Sequence, residues 1–166
     1  FCTWGSSDLT ELQRNMEYYH MLPLCDGPLK YYDVQKLFSI AYEDKKSRRS
    51  LKYAVDYLEI EEDIAFHRAD SDAYYTAKVL SHFYNPALFD YYSFDTYQLP
   101  KKRADEVHAI FGDYEKYISR PFADKLTAMQ DKEGISTRCF LCGANTKRKI
   151  PWFSVNNGKH YYTVVY

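Results

Sequence analysis

The sequence predicts an α/β fold, and three observations indicate it. Short apolar segments with β propensity alternate with segments of helical periodicity up to about residue 85. The chain has 166 residues, 46% of them hydrophobic and 27% charged, which is enough for a packed core. The helical pattern stops at Asn85-Pro86, and residues 91–102 show no clear period. We therefore predict an α/β domain over residues 1–88, a linker and helical segment over 89–137, and a cysteine knuckle with a β-hairpin over 138–166.

The first predicted unit is a strand, a turn and a helix. Residues 1–4 are apolar and prone to β structure, and residues 5–7 (Gly-Ser-Ser) turn the chain. Asp8 and Glu11 have the spacing of a helix capping box. Helical spacing then continues through four apolar residues, which are Leu9, Leu12, Met16 and Tyr19. Asp8 is therefore expected at the start of a helix.

Further elements follow up to residue 84. A strand is predicted over 31–34, and the next helical face begins at Leu37. Residues 43–49 are predicted to form a solvated charged loop, and Ser50 has the character of a helix N-cap. Another helix is predicted over 71–84. The predicted strands are too few to cover these helices, so we expect the rest of the sheet upstream of Phe1.

The second half is predicted to be less regular. Residues 91–102 show no period and are predicted to form a linker or extended arm, whereas Val107, Ile110, Phe111 and Tyr114 suggest a helix. A further helix is predicted over 122–130. Asn157-Gly158 lies between two β-prone segments and predicts a hairpin turn.

Charge and cysteine content narrow the functional classes. The formal net charge is −1, from 22 basic and 23 acidic side chains, which disfavours a passive nucleic-acid-binding protein. An enzyme that holds nucleic acid through bound metal ions needs less basic charge. No apolar run approaches the length of a membrane span, so we expect no membrane partner. Four scattered cysteines without a secretory signal predict a reduced, cytoplasmic protein.

Residues 66–77 contain the most informative pattern for chemistry. His67 precedes a predicted helix, and Asp72 lies in its first turn. A carboxylate there suits a hard metal cation, and a nearby imidazole can accept a proton from a metal-bound water. The alternative is that Asp70 and Asp72 only favour the start of the helix and that His67 is an ordinary loop histidine.

Four segments in order extend this pattern: residues 4–8 (Trp-Gly-Ser-Ser-Asp), 32–38 (Tyr-Asp-Val-Gln-Lys-Leu-Phe), 50–52 (Ser-Leu-Lys) and 67–73. The series resembles the DEDDh 3′–5′ exonucleases of the DnaQ-like superfamily. Its nearest branch contains the KapD sporulation inhibitor and the ERI-type RNA exonucleases. The resemblance covers roughly the first half of the chain and implies a ribonuclease H-like fold.

The resemblance also implies a set of site residues. Asp8 and Asp72 match two of four acidic metal ligands, and His67 matches the general base. Asp33 is interpreted as an N-cap or packing residue, and Asp70 does not match a ligand. The family's first motif, Asp-x-Glu, would lie upstream of Trp4, so these residues supply half of the metal site. The implied reaction uses two Mg²⁺ or Mn²⁺ ions and acts on the 3′ end of single-stranded RNA or DNA.

Cys139 and Cys142 form a C-x-x-C pair followed by Gly143. This spacing can begin a structural zinc site, but such a site needs four ligands. His160 or cysteines beyond Tyr166 could complete a partial zinc ribbon; the alternative is two reduced thiols in a turn. Two rivals to the exonuclease hypothesis also stay open: a non-catalytic nucleic-acid-binding or regulatory module, and a zinc-ribbon interaction protein.

Overall fold

The computed structural model describes residues 1–66, 68–83, 85–111, 115–131 and 142–144, together with the strand backbones of 150–155 and 160–165. The chain divides into two compact units. The first unit contains Phe1–Leu24 and Leu29–Tyr97, and the second contains Cys25–Pro28 and Gln98–Tyr166. Both units mix helices with a small sheet, so the coarse α/β class is confirmed.

The sheet of the first unit has three strands in the order β1 (Cys2–Thr3), β2 (Leu29–Asp33) and β3 (Ser93–Asp95). β1 runs parallel to β2, with Thr3 opposite Asp33, and β3 runs antiparallel to β2. Residues 91–102 were predicted as a linker or extended arm, and three of them form the extended strand β3, which pairs with β2. A strand of three residues is too short to show the alternation that would have identified it.

Four helices complete the first unit. They are α1 (Ser7–Tyr18), α2 (Val34–Tyr42), α3 (Leu51–Tyr57) and α4 (Ala69–His82), and a 3-10 helix at Pro86–Asp90 follows. The Asp33 side chain accepts a hydrogen bond from the main-chain N–H of Lys36, and Ser50 caps α3 through the N–H of Tyr53. Both predicted N-caps are confirmed.

The core of the first unit lies among α2, α3 and α4. Tyr75 is fully buried, and its hydroxyl donates to the carbonyl of Ile64 at 2.7 Å and accepts from the N–H of the same residue at 3.0 Å. The Tyr75 ring stacks on Phe66 with 4.4 Å between ring centroids. The remaining core residues are apolar: Val34, Leu37, Phe38, Leu51, Ala54, Val55, Ile60, Val79 and Phe83.

The predicted apolar face of α1 is only partly correct. Leu9 is buried, but Leu12 is 43% exposed and Tyr19 is 69% exposed. Gln13 is the second buried residue of α1. Its side-chain amide nitrogen donates to the carboxylate of Asp95 at 2.6 Å. Gln13 lies four residues after Leu9 and therefore on the same helical face, where a hydrogen-bonded polar side chain is buried.

The second unit contains a four-stranded antiparallel sheet in the order β4 (Val107–Ile110), β5 (Glu115–Ile118), β7 (His160–Val165), β6 (Ile150–Val155). The helix predicted at Val107 is wrong. Ala109 is buried between exposed His108 and Ile110, which is the period of a strand. The predicted helix over 122–130 is confirmed in part as α5 (Lys125–Gln130). Both predicted hairpin strands are confirmed, but Asn157-Gly158 lies outside the described residues.

None of the helices in the described part of the chain combines the length and apolar character that crossing a bilayer demands.

Candidate active site

Asp8 follows a constrained turn between β1 and α1. The hydroxyl of Thr3 donates to the carbonyl of Gly5 at 2.6 Å. Gly5 has a φ of +95°, which L side chains rarely adopt, and the Oε1 atom of Gln35 lies 3.5 Å from where a Cβ of Gly5 would be. This geometry accounts for the glycine at the second position of the Trp-Gly pair.

Trp4 connects this turn to the chain that precedes α3. Its ring packs at 6.1 Å from the ring of Phe38, and its indole N–H donates to the main-chain carbonyl of Arg49 at 3.1 Å. The side-chain amide of Gln35 donates to the same carbonyl at 2.7 Å. The start of α1 is thereby held in place by two side chains and a distant carbonyl.

Asp8 lies in the first turn of α1, with its side chain exposed but partly surrounded by protein. Ser7 donates a long hydrogen bond of 3.4 Å to its carboxylate. Partial burial raises the pKa of Asp8 above its ordinary value, and the hydrogen bond from Ser7 opposes that rise. The negative charges of Asp72 and Asp33 raise the pKa of Asp8 further.

Asp72 lies in the first turn of α4 and is half-buried. Its main-chain N–H donates to the carbonyl of Arg68 at 2.9 Å, and its own carbonyl accepts from the hydroxyl of Thr76 at 2.7 Å. Among the residues that the structure describes, its carboxylate makes no hydrogen bond or ion pair. α4 contacts β1, the strand that precedes the turn leading to Asp8.

His67, the predicted general base, lies outside the described residues. Its two neighbours in sequence are described. Phe66 stacks on buried Tyr75, and Arg68 is the N-cap residue of α4. The segment that leads to His67 is therefore fixed to α4 by the contacts of Tyr75 with Phe66 and Ile64.

Asp33 and Asp70, the two other acids in the sequence motifs, have structural partners of their own. Asp33 is 9% exposed and caps α2 by accepting from the N–H of Lys36 at 3.0 Å. Asp70 is exposed and forms an ion pair with Arg68 at 3.2 Å. Asp72, in the same turn of α4, is one of the charges that raise the pKa of Asp8.

Sequence reasoning missed one group beside these acids. Tyr31 is 4% exposed, and its pKa is raised by burial first and then by the charges of Asp33, Asp95 and Asp8. The Tyr31 hydroxyl shares a hydrogen bond with Ser93 and stays protonated at neutral pH. Tyr31 belongs to one of many tyrosine pairs, and nothing in the sequence distinguishes it from the others.

The structure describes only some of the residues that were predicted to bind metal ions. Within the described ranges, no three His, Cys, Asp or Glu side chains lie close enough together to hold a metal ion. Cys139 lies outside those ranges, whereas Cys142 is exposed and Gly143 has a φ of +71°.

The carboxylates of Asp8 and Asp72 thus form a pair of acids, each at the start of a helix, with no cationic partner in the described part of the chain. Such a pair favours a bound cation, which would relieve their repulsion. Comparisons of this chain with protein-family models, curated proteins and solved structures found no match. The functional conclusion therefore depends on these residues and on their sequence patterns.

Proposed function

We propose that this protein is a metal-dependent 3′–5′ exonuclease that hydrolyses phosphodiester bonds at the 3′ ends of single-stranded RNA or DNA. The observation that carries the proposal is the placement of Asp8 and Asp72 in the first turns of α1 and α4, where burial and then the charges of Asp72 and Asp33 raise the pKa of Asp8. The resemblance to the DEDDh exonucleases matches Asp8 and Asp72, in Trp-Gly-x-x-Asp and His-x-x-x-x-Asp, to metal ligands. The finer fold assignment, a ribonuclease H-like exonuclease domain, is part of this proposal.

The two carboxylates fit the proposed metal. Mg²⁺ and Mn²⁺ prefer oxygen ligands, and neither carboxylate forms an ion pair with a cationic side chain of the described residues. Asp8 and Asp72 would hold the metal, which supplies activation of the attacking water and stabilisation of the leaving oxygen. The resemblance implies four acidic ligands, so the proposal requires two further carboxylates.

The chain's own residues have distinct roles in the proposed reaction. A water oxygen attacks the terminal phosphorus, the bond from phosphorus to the 3′ oxygen of the preceding nucleotide breaks, and a nucleoside monophosphate leaves. His67 accepts the proton that the water loses, since imidazole titrates near neutral pH. The N–H groups at the start of α4 favour the anionic phosphate beside Asp72.

The test compares two neighbouring acids of α4. Asp72→Asn should weaken Mn²⁺ binding, measured by titration calorimetry, and should lower exonuclease activity about 100-fold or more. Asp70→Asn is the matched control, because Asp70 is exposed and paired with Arg68. His67→Ala should lower kcat about 100-fold or more while Mn²⁺ binding stays closer to that of the unchanged protein.

The assay uses the full-length protein, a 5′-labelled single strand and Mn²⁺. A ladder of shortened products with Asp72→Asn equal to that of the unchanged protein would overturn the site assignment. Strand binding without any cleavage by the unchanged protein would favour the non-catalytic module instead.

A second part of the proposal concerns the C-x-x-C pair. Cys139 and Cys142 would contribute two ligands to a structural Zn²⁺ in a zinc-ribbon-like segment. The exposed thiol of Cys142 and the left-handed conformation of Gly143 support a turn of the knuckle type. Metal analysis should find one zinc per chain that is lost in Cys142→Ser, and a zinc-free unchanged protein would exclude the site.

A further inference from the structure

A basic loop, residues 43–50, joins α2 to α3 and has a defined conformation. The carboxylate of Asp44 accepts hydrogen bonds from the N–H groups of Lys46 at 2.9 Å and Ser47 at 2.7 Å. These hydrogen bonds lower the pKa of Asp44 to about 2. Arg49 forms an ion pair with Glu43 at 2.7 Å, which closes the loop at its base.

The loop concentrates positive charge on a chain whose net charge is −1. It contains four cationic side chains and two acidic ones, and all four cationic residues, Lys45, Lys46, Arg48 and Arg49, are exposed. Only Arg49 has an acidic partner among the described residues. Within that part of the chain, the other three cations of the loop are therefore available to an anionic ligand.

The basic loop is hydrogen-bonded to Trp4 in the turn that precedes Asp8. Trp4 and Gln35 both donate to the carbonyl of Arg49, at 3.1 Å and 2.7 Å. Trp4 precedes Gly5 in that turn, and the Oε1 atom of Gln35 lies 3.5 Å from where a Cβ of Gly5 would be. The position of the cations is thereby coupled to the position of the candidate active site.

Two exposed aromatic rings lie beside the loop. Tyr53 is 38% exposed and Tyr57 is 49% exposed, and their rings stack with 6.1 Å between centroids. The guanidinium of Arg49 lies 4.9 Å from the centroid of the Tyr53 ring. Cations that contact phosphates and rings that stack on bases are the two features that single-strand binding requires.

We infer that the basic loop, together with Tyr53 and Tyr57, binds the substrate strand on the 5′ side of its terminal nucleotide. The inference rests on the proposed function, because it takes the ligand to be the strand whose 3′ end reaches Asp8 and Asp72. Lys45, Lys46 and Arg48 contact the backbone phosphates, while Tyr53 stacks on a base. Sequence is not read by such contacts, so the surface accepts strands of any sequence.

The test measures binding without catalysis. A fluorescent single-stranded oligonucleotide is titrated with the full-length protein in EDTA, and anisotropy is followed at several salt concentrations. The triple variant Lys45→Ala, Lys46→Ala, Arg48→Ala should bind roughly 100-fold more weakly at low salt. The slope of log K against log salt should become shallower by about 2, since each single-strand phosphate contact contributes about 0.7.

The chain offers a matched control for charge and another for stacking. Lys101→Ala, Lys102→Ala, Arg103→Ala removes the same charge from another exposed segment, in which Lys101 lies 3.6 Å from Asp26 and Lys102 lies 3.9 Å from Asp105. This variant should keep the affinity and the slope. Tyr53→Ala should weaken binding roughly 5-fold or more with the slope unchanged, whereas Tyr18→Ala, at a residue 74% exposed, should not.

The outcomes separate this inference from the proposed function. Equal affinity and slope in the loop variant and the unchanged protein would overturn the inference even if the protein is an active exonuclease. Absence of any single-strand binding by the unchanged protein would also overturn it. Loop-dependent binding by a protein that cleaves nothing would uphold the binding surface and overturn the exonuclease proposal alone. In an active enzyme, the loop variant should raise KM and leave kcat nearly unchanged.

Discussion

The indole N–H of Trp4 donates a hydrogen bond to the main-chain carbonyl of Arg49, 45 residues further along the chain, at 3.1 Å. The amide of Gln35 donates to the same oxygen at 2.7 Å. One carbonyl therefore joins three of the sequence segments that resemble the exonucleases: residues 4–8, 32–38 and 50–52, the last of which begins directly after Arg49.

The shared carbonyl predicts a coupling between Trp4 and Gln35. Trp4→Phe and Gln35→Met should each cost less than about 1 kcal/mol of unfolding free energy, because the carbonyl keeps one donor. Together they leave it with neither donor, so the double variant should exceed the sum by about 0.5–1.5 kcal/mol. Denaturant unfolding of the four proteins measures this. Simple additivity would mean that the two donors do not share the carbonyl in solution.

Gly5 should resist substitution. At a φ of +95°, Gly5→Ala should lower the unfolding free energy by about 1–2 kcal/mol, since an L side chain is strained there. Gly27→Ala is the control, because a Cβ at Gly27 would have no atom within 4 Å and the φ of Gly27 is outside the left-handed range. That change should be neutral or slightly stabilising. Equal costs for the two, measured by denaturant unfolding, would contradict the strain argument.

The pKa of Asp8 predicts a pH dependence with a defined sign. Because the folded-state pKa is raised above 3.8, folding disfavours the charged carboxylate, and stability falls as pH rises from 3.8 through the raised pKa. Asp8→Asn should therefore stabilise the protein at neutral pH and have no such effect below pH 3.8. Thermal unfolding at a series of pH values measures the difference.

The same carboxylate reports on Asp72 directly. Carbon-13 NMR titration of Asp8 should find a lower pKa in Asp72→Asn, because one repelling charge is removed. Asp70→Asn should leave the pKa of Asp8 as it is in the unchanged protein. If the pKa of Asp8 is the same in Asp72→Asn as in the unchanged protein, the two carboxylates are too far apart to interact.

Asp95 should be a main determinant of stability in the first unit. It is 5% exposed and accepts hydrogen bonds from Gln13 at 2.6 Å, from the hydroxyl of Thr10 at 2.9 Å and from the N–H of Tyr97 at 3.0 Å. Asp95→Asn places an amide donor among these donors and should cost about 1–3 kcal/mol. Asp90→Asn, at an exposed residue, should stay within about 0.5 kcal/mol. A small effect at Asp95 would mean that the network contributes little.

Local patterns predicted the elements of the first unit because each has its signal within a few residues. The caps at Asp33 and Ser50 and the apolar stripe of α3 are of this kind. β3 escaped prediction because it is short and pairs with β2, which is distant in sequence, and the burial of Gln13 escaped because its partner Asp95 is equally distant. At Val107–Ile110, apolar spacing fitted a helix as well as a strand, and the sheet partners decided the outcome.

The candidate site likewise contains residues that the sequence predicted and residues that it did not. Asp72 is predicted from a local pattern and Asp8 from the resemblance, and the charge of Asp72 contributes to the raised pKa of Asp8. The contributions of Tyr31, Gln35 and the Arg49 carbonyl could not be predicted, because a main-chain acceptor and a buried hydroxyl leave no residue-type signature.

The hydrogen bonds from Trp4 and Gln35 end on a main-chain oxygen, that of Arg49, and this has an evolutionary consequence. Any residue that permits the same backbone path can supply the acceptor, whereas the donors at Trp4 and Gln35 depend on their side chains. We therefore expect the loop to be free to gain, lose or exchange its charged residues among descendants of this sequence. The turn at Asp8 would keep its anchor while the affinity for polyanions changes, so strand preference and active-site geometry can evolve separately.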